Sequence, residues 1–120
     1  MSEPSAPEQV LIVFCTFPNA AIAATVAETL VREGHAACVN VIPGVRSIYM
    51  WQGKLCDDTE YLATIKTTDT AFHQLRSRLV ELHPYDVPEV LGVPATRGHE
   101  PYLQWVRDAA TSAPSTNDSV

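Results

Sequence analysis

Two extended runs joined by a two-residue turn constrain this chain more than any other feature. "HAACVNVIPGVRSIYMW" (His35 to Trp51) and the segment from about Leu55 to Thr67 are rich in β-branched and aromatic residues, and Gln52 and Gly53 in "WQGK" between them form a hairpin signal. Pro43 and Gly44 interrupt the first run, and such a pair inside a strand implies a bend or bulge. With its bend the first run spans about 16 residues, while the strand before it, "QVLIVFCTF" (Gln9 to Phe17), has about nine. At roughly 3.3 Å per residue the hairpin overhangs its own sheet by about 20 Å. The overhang carries Val45, Ile48, Tyr49, Met50 and Trp51, too much apolar surface to leave on an unpaired edge. It calls for a partner subunit, and closed cyclic symmetry would hide identical edges.

The remaining elements follow from periodicity. Gln9 to Phe17 is a continuous apolar run, as in a strand covered on both faces. From Asn19 onward Ile22, Val26 and Leu30 recur at helical spacing, with Gly34 where a left-handed cap belongs. A second helix is predicted after Thr68 or Asp69, with Phe72, Leu75, Leu79 and Leu82 on one side, and it ends before His83 because Pro84 pushes its predecessor out of the helical region. "PEVLGVP" (Pro88 to Pro94) reads as a short fourth strand, and Pro101 opens a last helix carrying Tyr102, Leu103, Trp105 and Val106. The order β-α-β-β-α-β defines an α+β, ferredoxin-like sheet with an extra C-terminal helix. One domain is expected over residues 9–110, with residues 1–8 and 111–120 as disordered tails too polar to offset the entropy of ordering.

Charge narrows the partners. A formal net charge of -6 lacks the clustered Lys and Arg that nucleic acid or an anionic membrane needs. No stretch approaches the roughly 20 apolar residues of a bilayer span, and "MSEPSAPE" does not read as a secretory leader, so a cytoplasmic protein is expected. Cys15, Cys38 and Cys56 are odd in number and fall on no CxxC spacing, which argues against a disulfide framework.

Topology raises one candidate site. In the usual strand order 4-1-3-2, the end of the first strand, the hairpin, the end of the second helix and the start of the fourth strand share one edge. Cys15, His83 and Glu89 should therefore lie near one another. Thiolate, imidazole and carboxylate suit Cu(I), Cu(II), Zn(II) or another divalent cation. The competing reading makes Cys15 a small buried hydrophobe, His83 a helix-terminal residue and Glu89 a rim charge. Cys15, His83 and Asp86 could be drawn as a nucleophilic triad, but no nucleophile elbow or oxyanion-hole glycine run accompanies them, so no enzyme activity is expected.

"ACVNVIPGVRSIYMWQGKLCDDTEYLATIKT" (Ala37 to Thr67), "HPYDVPEVLGVP" (His83 to Pro94) and "PYLQWV" (Pro101 to Val106) closely resemble the CutA family of divalent-cation-tolerance proteins, over about residues 9–110. The resemblance implies a homotrimer held by the long hairpins, related in shape to PII signalling proteins, and an association with copper and divalent-cation tolerance. No cofactor is required by it. The turn "FPN" (Phe17 to Asn19) stands where the family more often has an acidic residue. In such an assembly Tyr49, Met50, Trp51 and Trp105 are expected at the trimer interface. A second reading is a PII-like module binding a small ligand between subunits, with Arg46, Lys66 and Tyr85 lining the cleft.

Overall fold

The computed structural model describes residues 6–112 of the 120. Residues 1–5 and 113–120, most of the two expected tails, lie outside the described residues. The elements run β1 (Val10–Phe17), α1 (Ala20–Arg32), β2 (Cys38–Trp51), β3 (Lys54–Thr68), α2 (Asp69–Leu82), β4 (Leu91–Pro94) and α3 (Glu100–Ala109). One sheet has the order β2-β3-β1-β4 with every neighbouring pair antiparallel, the ferredoxin-like arrangement with α3 added.

Local chemistry explains the boundaries. The Asn19 side chain accepts from the Ile22 amide and opens α1, and Gly34 leaves it at φ +79°. Thr68 caps α2 by accepting from the Ala71 amide. Gln52 and Gly53 both have positive φ, as a tight primed turn between twisted strands requires. β4 is shorter than the sequence indicated: only Leu91 to Pro94 pair with β1, and Pro88 to Val90 run outside the ladder.

α1 and α2 cover one face of the sheet. Ala23, Val26 and Leu30 from α1 and Leu75 and Leu79 from α2 close over Val13, Cys15, Phe17, Ala63 and Ile65. A fully buried leucine of this kind contributes about 1.5–3 kcal/mol. α3 builds a second, smaller core with Leu103, Val106 and Ala110 against Val10 and Ala37, at the end of the sheet where β1 begins. That leaves the opposite end, where β1 stops at Phe17 opposite Tyr61, to the hairpin. From Lys54 to Glu60 the strand β3 pairs with β2 alone, an overhang of about 20 Å. The molecule is accordingly elongated, 59 × 37 × 23 Å.

The folded part reaches further into both expected tails than the sequence suggested. The Glu8 carboxylate accepts from the Thr70 amide at 2.6 Å and its carbonyl from Arg107. Ser112 is 5% exposed; its amide donates to Gly34 O, and its hydroxyl meets His35 Nδ1 at 3.0 Å. A left-handed turn at Ser112, φ +48°, folds the chain back onto the α1 exit. His35, which follows a cap glycine like a surface residue, is partly buried for the same reason, its Nε2 reaching Glu33 at 3.2 Å.

Candidate functional site

The loop from His83 to Val90 crosses the end of β1 and faces the overhanging hairpin. Between them lies a groove of about 700 Å³ lined by Thr16 of β1, by Ser47, Tyr49, Trp51, Asp58 and Glu60 of the hairpin, and by Tyr85, Asp86 and Glu89 of the loop, among others.

A bulge decides which hairpin residues face it. Ile42 pairs with Leu62 but Val45 pairs with Glu60, so the Pro43-Gly44 step inserts one extra residue into β2 and re-phases it. Alternation then puts Ser47, Tyr49 and Trp51 on the same side as Asp58 and Glu60. The Tyr49 hydroxyl donates to Asp58 Oδ2 and the Tyr85 hydroxyl to Glu60 Oε2, both at 2.5 Å. These carboxylates keep the phenols protonated. Its hydrogen bond to Asp58, then burial, pushes Tyr49 up to about 12, while burial followed by the Glu60 bond raises Tyr85.

Of Arg46, Lys66 and Tyr85, only Tyr85 lines the groove. Arg46 lies on the opposite side of the hairpin, in a two-point ion pair with Asp57 at 2.9 and 2.6 Å. Lys66 sits farther along β3, opposite Cys38, with its ammonium on Asn40 and Thr64.

Cys15, His83 and Glu89 occupy the same end of the fold. His83 Nε2 lies 2.8 Å from the Thr16 carbonyl, and Cys15 Sγ reaches the same oxygen at 3.8 Å. Because the Tyr85 amide donates to Nδ1 at 3.1 Å, the ring is neutral with its proton on Nε2. It stacks on Phe17 at 4.7 Å. Burial pushes the imidazole below its ordinary value, against the opposing pull of the Thr16 carbonyl and Glu60. Cys15 is fully buried, and burial, then the charges of Glu89 and Glu60, push its thiol up to about 12. Those acids, from the loop and β3, stand near Cys15 although the Phe17–Asn19 turn carries none. Both His83 nitrogens are engaged and the thiol holds its proton, so the three are adjacent without forming a ligand set. No group of three or more His, Cys, Asp or Glu among the described residues is placed to hold a metal ion.

Acidic side chains gather in the groove. Asp58, Glu60, Asp86 and Glu89 line it, and none of them forms an ion pair among the described residues. Elsewhere Glu33, Asp57, Glu81 and Glu100 have a cationic partner, while Glu8, Glu28, Asp69 and Asp108 have none among the described residues. Glu60 is only 6% exposed. The sequence reading passed over Asp58 and Glu60, whose i, i+2 spacing along a strand was the available signal.

The expected interface residues are exposed: Tyr49 at 42%, Met50 at 63%, Trp51 at 48% and Trp105 at 49%. Cys15, Cys38 and Cys56 are free thiols. No helix among the described residues is long and apolar enough to cross a membrane.

Fold and site together define a ferredoxin-like α+β protein with an extended hairpin and an acid-walled groove at its base. The family model described as "CutA1 divalent ion tolerance protein" matches residues 11–109. The chain belongs to this family. It is 46% identical over 97 residues to the divalent-cation tolerance protein CutA of Thermus thermophilus, covering 81% of this chain and 94% of that one. It is 42% identical over 106 residues to protein CutA of Homo sapiens, covering 88% of this chain but 59% of the human one. The solved divalent cation tolerance protein (Cut A1) from Thermus thermophilus superposes with a TM-score of 0.82 at 44% identity, over 84% of this chain and 98% of that one. The family is named for ion tolerance and not for a reaction.

Proposed function

We propose that this chain is a non-catalytic, homotrimeric cation-handling protein acting in divalent-cation tolerance, with copper or another divalent cation as its cargo. The observation that carries the reading is the groove: four carboxylates converge on it with no cationic side chain paired to them. A cation entering meets negative charge without displacing a resident partner, in surroundings less screened than bulk water. The names of the relatives support the same direction. A cytoplasmic location belongs to this reading.

Trimer formation is supported by the apolar surface that one copy leaves in water. Tyr49, Met50 and Trp51 share the overhang with Ile48 and Leu55, which are 59% and 71% exposed. Ile42, Leu91 and Val93 extend the apolar surface over the sheet. A patch of this extent marks an interaction surface.

Retention of metal by Cys15, His83 and Glu89 is the narrower proposal, and in this conformation the residues do not fit an ion. Binding there requires the Cys15 thiol to release its proton and His83 Nε2 to leave the Thr16 carbonyl. Only a soft ion with high thiolate affinity, such as Cu(I), meets that demand. Titration calorimetry of metal-free trimer with anaerobic Cu(I), Cu(II) and Zn(II) tests both levels. Saturable binding that Glu60→Gln and Glu89→Gln weaken supports the groove, and further weakening by Cys15→Ala supports the narrower site. Absence of saturable binding by every ion would sink the proposal.

The second reading, a small ligand held in the groove, is favoured by its walls. Tyr49, Trp51 and Tyr85 together with Ile48 and Val87 offer apolar and aromatic area that a bare ion does not use.

A further inference from the structure

The turn after α1 holds a second cluster of ionisable groups, away from the groove and the hairpin. His35 lies there with 14% of its side chain exposed, between the Glu33 carboxylate at Nε2 (3.2 Å) and the Ser112 hydroxyl at Nδ1 (3.0 Å). From α2, Arg78 reaches both Glu33 oxygens at 2.9 Å and holds that carboxyl below its ordinary range, so Glu33 accepts and does not donate. Glu81 joins the network through Arg78 at 3.1 Å. From β3, Thr67 meets only the backbone of His35, its hydroxyl donating to the carbonyl at 2.7 Å. Among the described residues no other charged side chain hydrogen-bonds or ion-pairs with the ring.

Proton placement follows from this setting. A neutral imidazole has one donor and one acceptor nitrogen. With an acceptor-only carboxylate at Nε2, the ring proton sits there and Nδ1 accepts, so the single Ser112 hydroxyl proton is committed to His35. A second acceptor lies within reach of that hydroxyl, the Ala71 carbonyl in the first turn of α2, at the longer distance of 3.4 Å. Both acceptors cannot take one proton. A protonated ring carries N–H on both nitrogens, and Nδ1 then donates to Ser112 Oγ.

We propose that His35 is a proton-operated latch: its protonation passes the Ser112 hydroxyl from the imidazole to the Ala71 carbonyl and fastens the segment after α3 onto α2. The ring takes up one proton from solvent and the hydroxyl turns about its C–O bond; no covalent bond between heavy atoms changes. The segment is already clasped by the Ser112 amide on Gly34 O at 2.7 Å and by the Thr68 hydroxyl on Ala110 O at 3.2 Å. The switched bond adds a third tie, so acid tightens the strap.

The test is nuclear magnetic resonance of the isotope-labelled full-length protein from pH 8 to 5.5, a range that spans the ordinary charge change of histidine. At pH 8 the ¹⁵N shifts of His35 should report the Nε2–H tautomer. On acidification the Ala71 carbonyl ¹³C resonance should move along the His35 titration curve. Exchange protection of the Ser112 amide, corrected for intrinsic rates, should rise about two- to tenfold, as one added hydrogen bond gives. Ser112→Ala should leave His35 titrating while the Ala71 carbonyl no longer follows it, and His35→Gln should remove the pH dependence of the strap. Should either variant fail to fold, the wild-type titration decides alone. An Nδ1–H tautomer at pH 8, an Ala71 carbonyl that ignores the His35 titration or follows it equally in Ser112→Ala, or unchanged protection of Ser112 overturns the inference.

Discussion

Replacing His83 tests whether its imidazole is a structural post or an exchangeable ligand. The ring donates from Nε2 to the Thr16 carbonyl at 2.8 Å, accepts the Tyr85 amide at 3.1 Å, and packs on Phe17 and Tyr85 with centroid separations of 4.7 Å. His83→Ala leaves the Thr16 carbonyl without that donor inside the fold, which costs about 1–3 kcal/mol. Lost ring packing adds about 0.5–1.5 kcal/mol. The expected loss in urea unfolding, at fixed protein concentration and pH 7.5, is therefore about 2–4 kcal/mol. The pH dependence adds a signature that a simple cavity lacks. Burial holds the folded imidazole below its ordinary value, so on acidification the unfolded chain takes up this proton first, near pH 6.5. The His83 contribution is complete above that value and declines as pH falls through the window down to the depressed folded value. His83→Gln cannot titrate, so its stability should fall less than the wild type's between pH 7.5 and 5. The other three histidines are common to both proteins. Glu33 and Asp57, held low by their bonds to Arg78 and Arg46, lose their contributions only as pH drops below about 4.3. Parallel pH profiles, or a His83→Ala cost under about 0.5 kcal/mol, would refute the assignment of a buried neutral ring.

Other perturbations probe the remaining parts. Trp51→Ala should lower the melting temperature and shift the sedimentation profile toward smaller species; an undiminished trimer counts against the hairpin as the association surface. Ser112→Ala removes the contacts with His35 Nδ1 and the Ala71 carbonyl and should cost about 1–2 kcal/mol in thermal unfolding, whereas an unchanged midpoint would mean the chain end is not pinned there. Cys15, fully buried and with its thiol near 12, should resist iodoacetamide at pH 8 while Cys38 and Cys56 react, as peptide mass spectrometry would reveal. Rapid modification of Cys15 in the folded protein would contradict that environment.

Most of the backbone was legible because its signals are local. Asn19, Gly34 and Thr68 mark helix ends by hydrogen-bonding or conformational rules that hold wherever the segment lies, and Gln52-Gly53 does the same for the hairpin. Topology followed from element order, and it placed Cys15, His83 and Glu89 at one end. Side-chain direction was not legible in the same way. Neither the engagement of both His83 nitrogens nor the burial that keeps Cys15 protonated can be read from residue types. Ser112 reads as tail because its neighbours are small and polar, yet its backbone and hydroxyl find partners at Gly34 and His35 in the turn after α1 and at Ala71 in α2.

The bulge at Pro43-Gly44 links what was legible to what was not. The sequence marks an interruption there, but whether one or two residues are inserted decides which way every later residue of β2 points. With one inserted, Arg46 turns away and neutralises Asp57 on the outer side of the hairpin. Uninterrupted alternation from Ile42 would have put Arg46 on the side of Asp58 and Glu60, where its guanidinium could have quenched the charge that now lines the groove. Instead that side receives Tyr49, whose hydroxyl orients a carboxylate without neutralising it. The bulge thus lets the register set by the tight turn, with Arg46 opposite Thr59 and Ser47 opposite Asp58, join the register of the sheet at Ile42 and Leu62. Ser47 stands opposite Asp58 on the groove side, so Ser47→Arg should supply the missing guanidinium and abolish cation binding while preserving the helix-covered core, and retention of full affinity by a folded Ser47→Arg variant would show that the unpaired charge of the groove does not carry the binding.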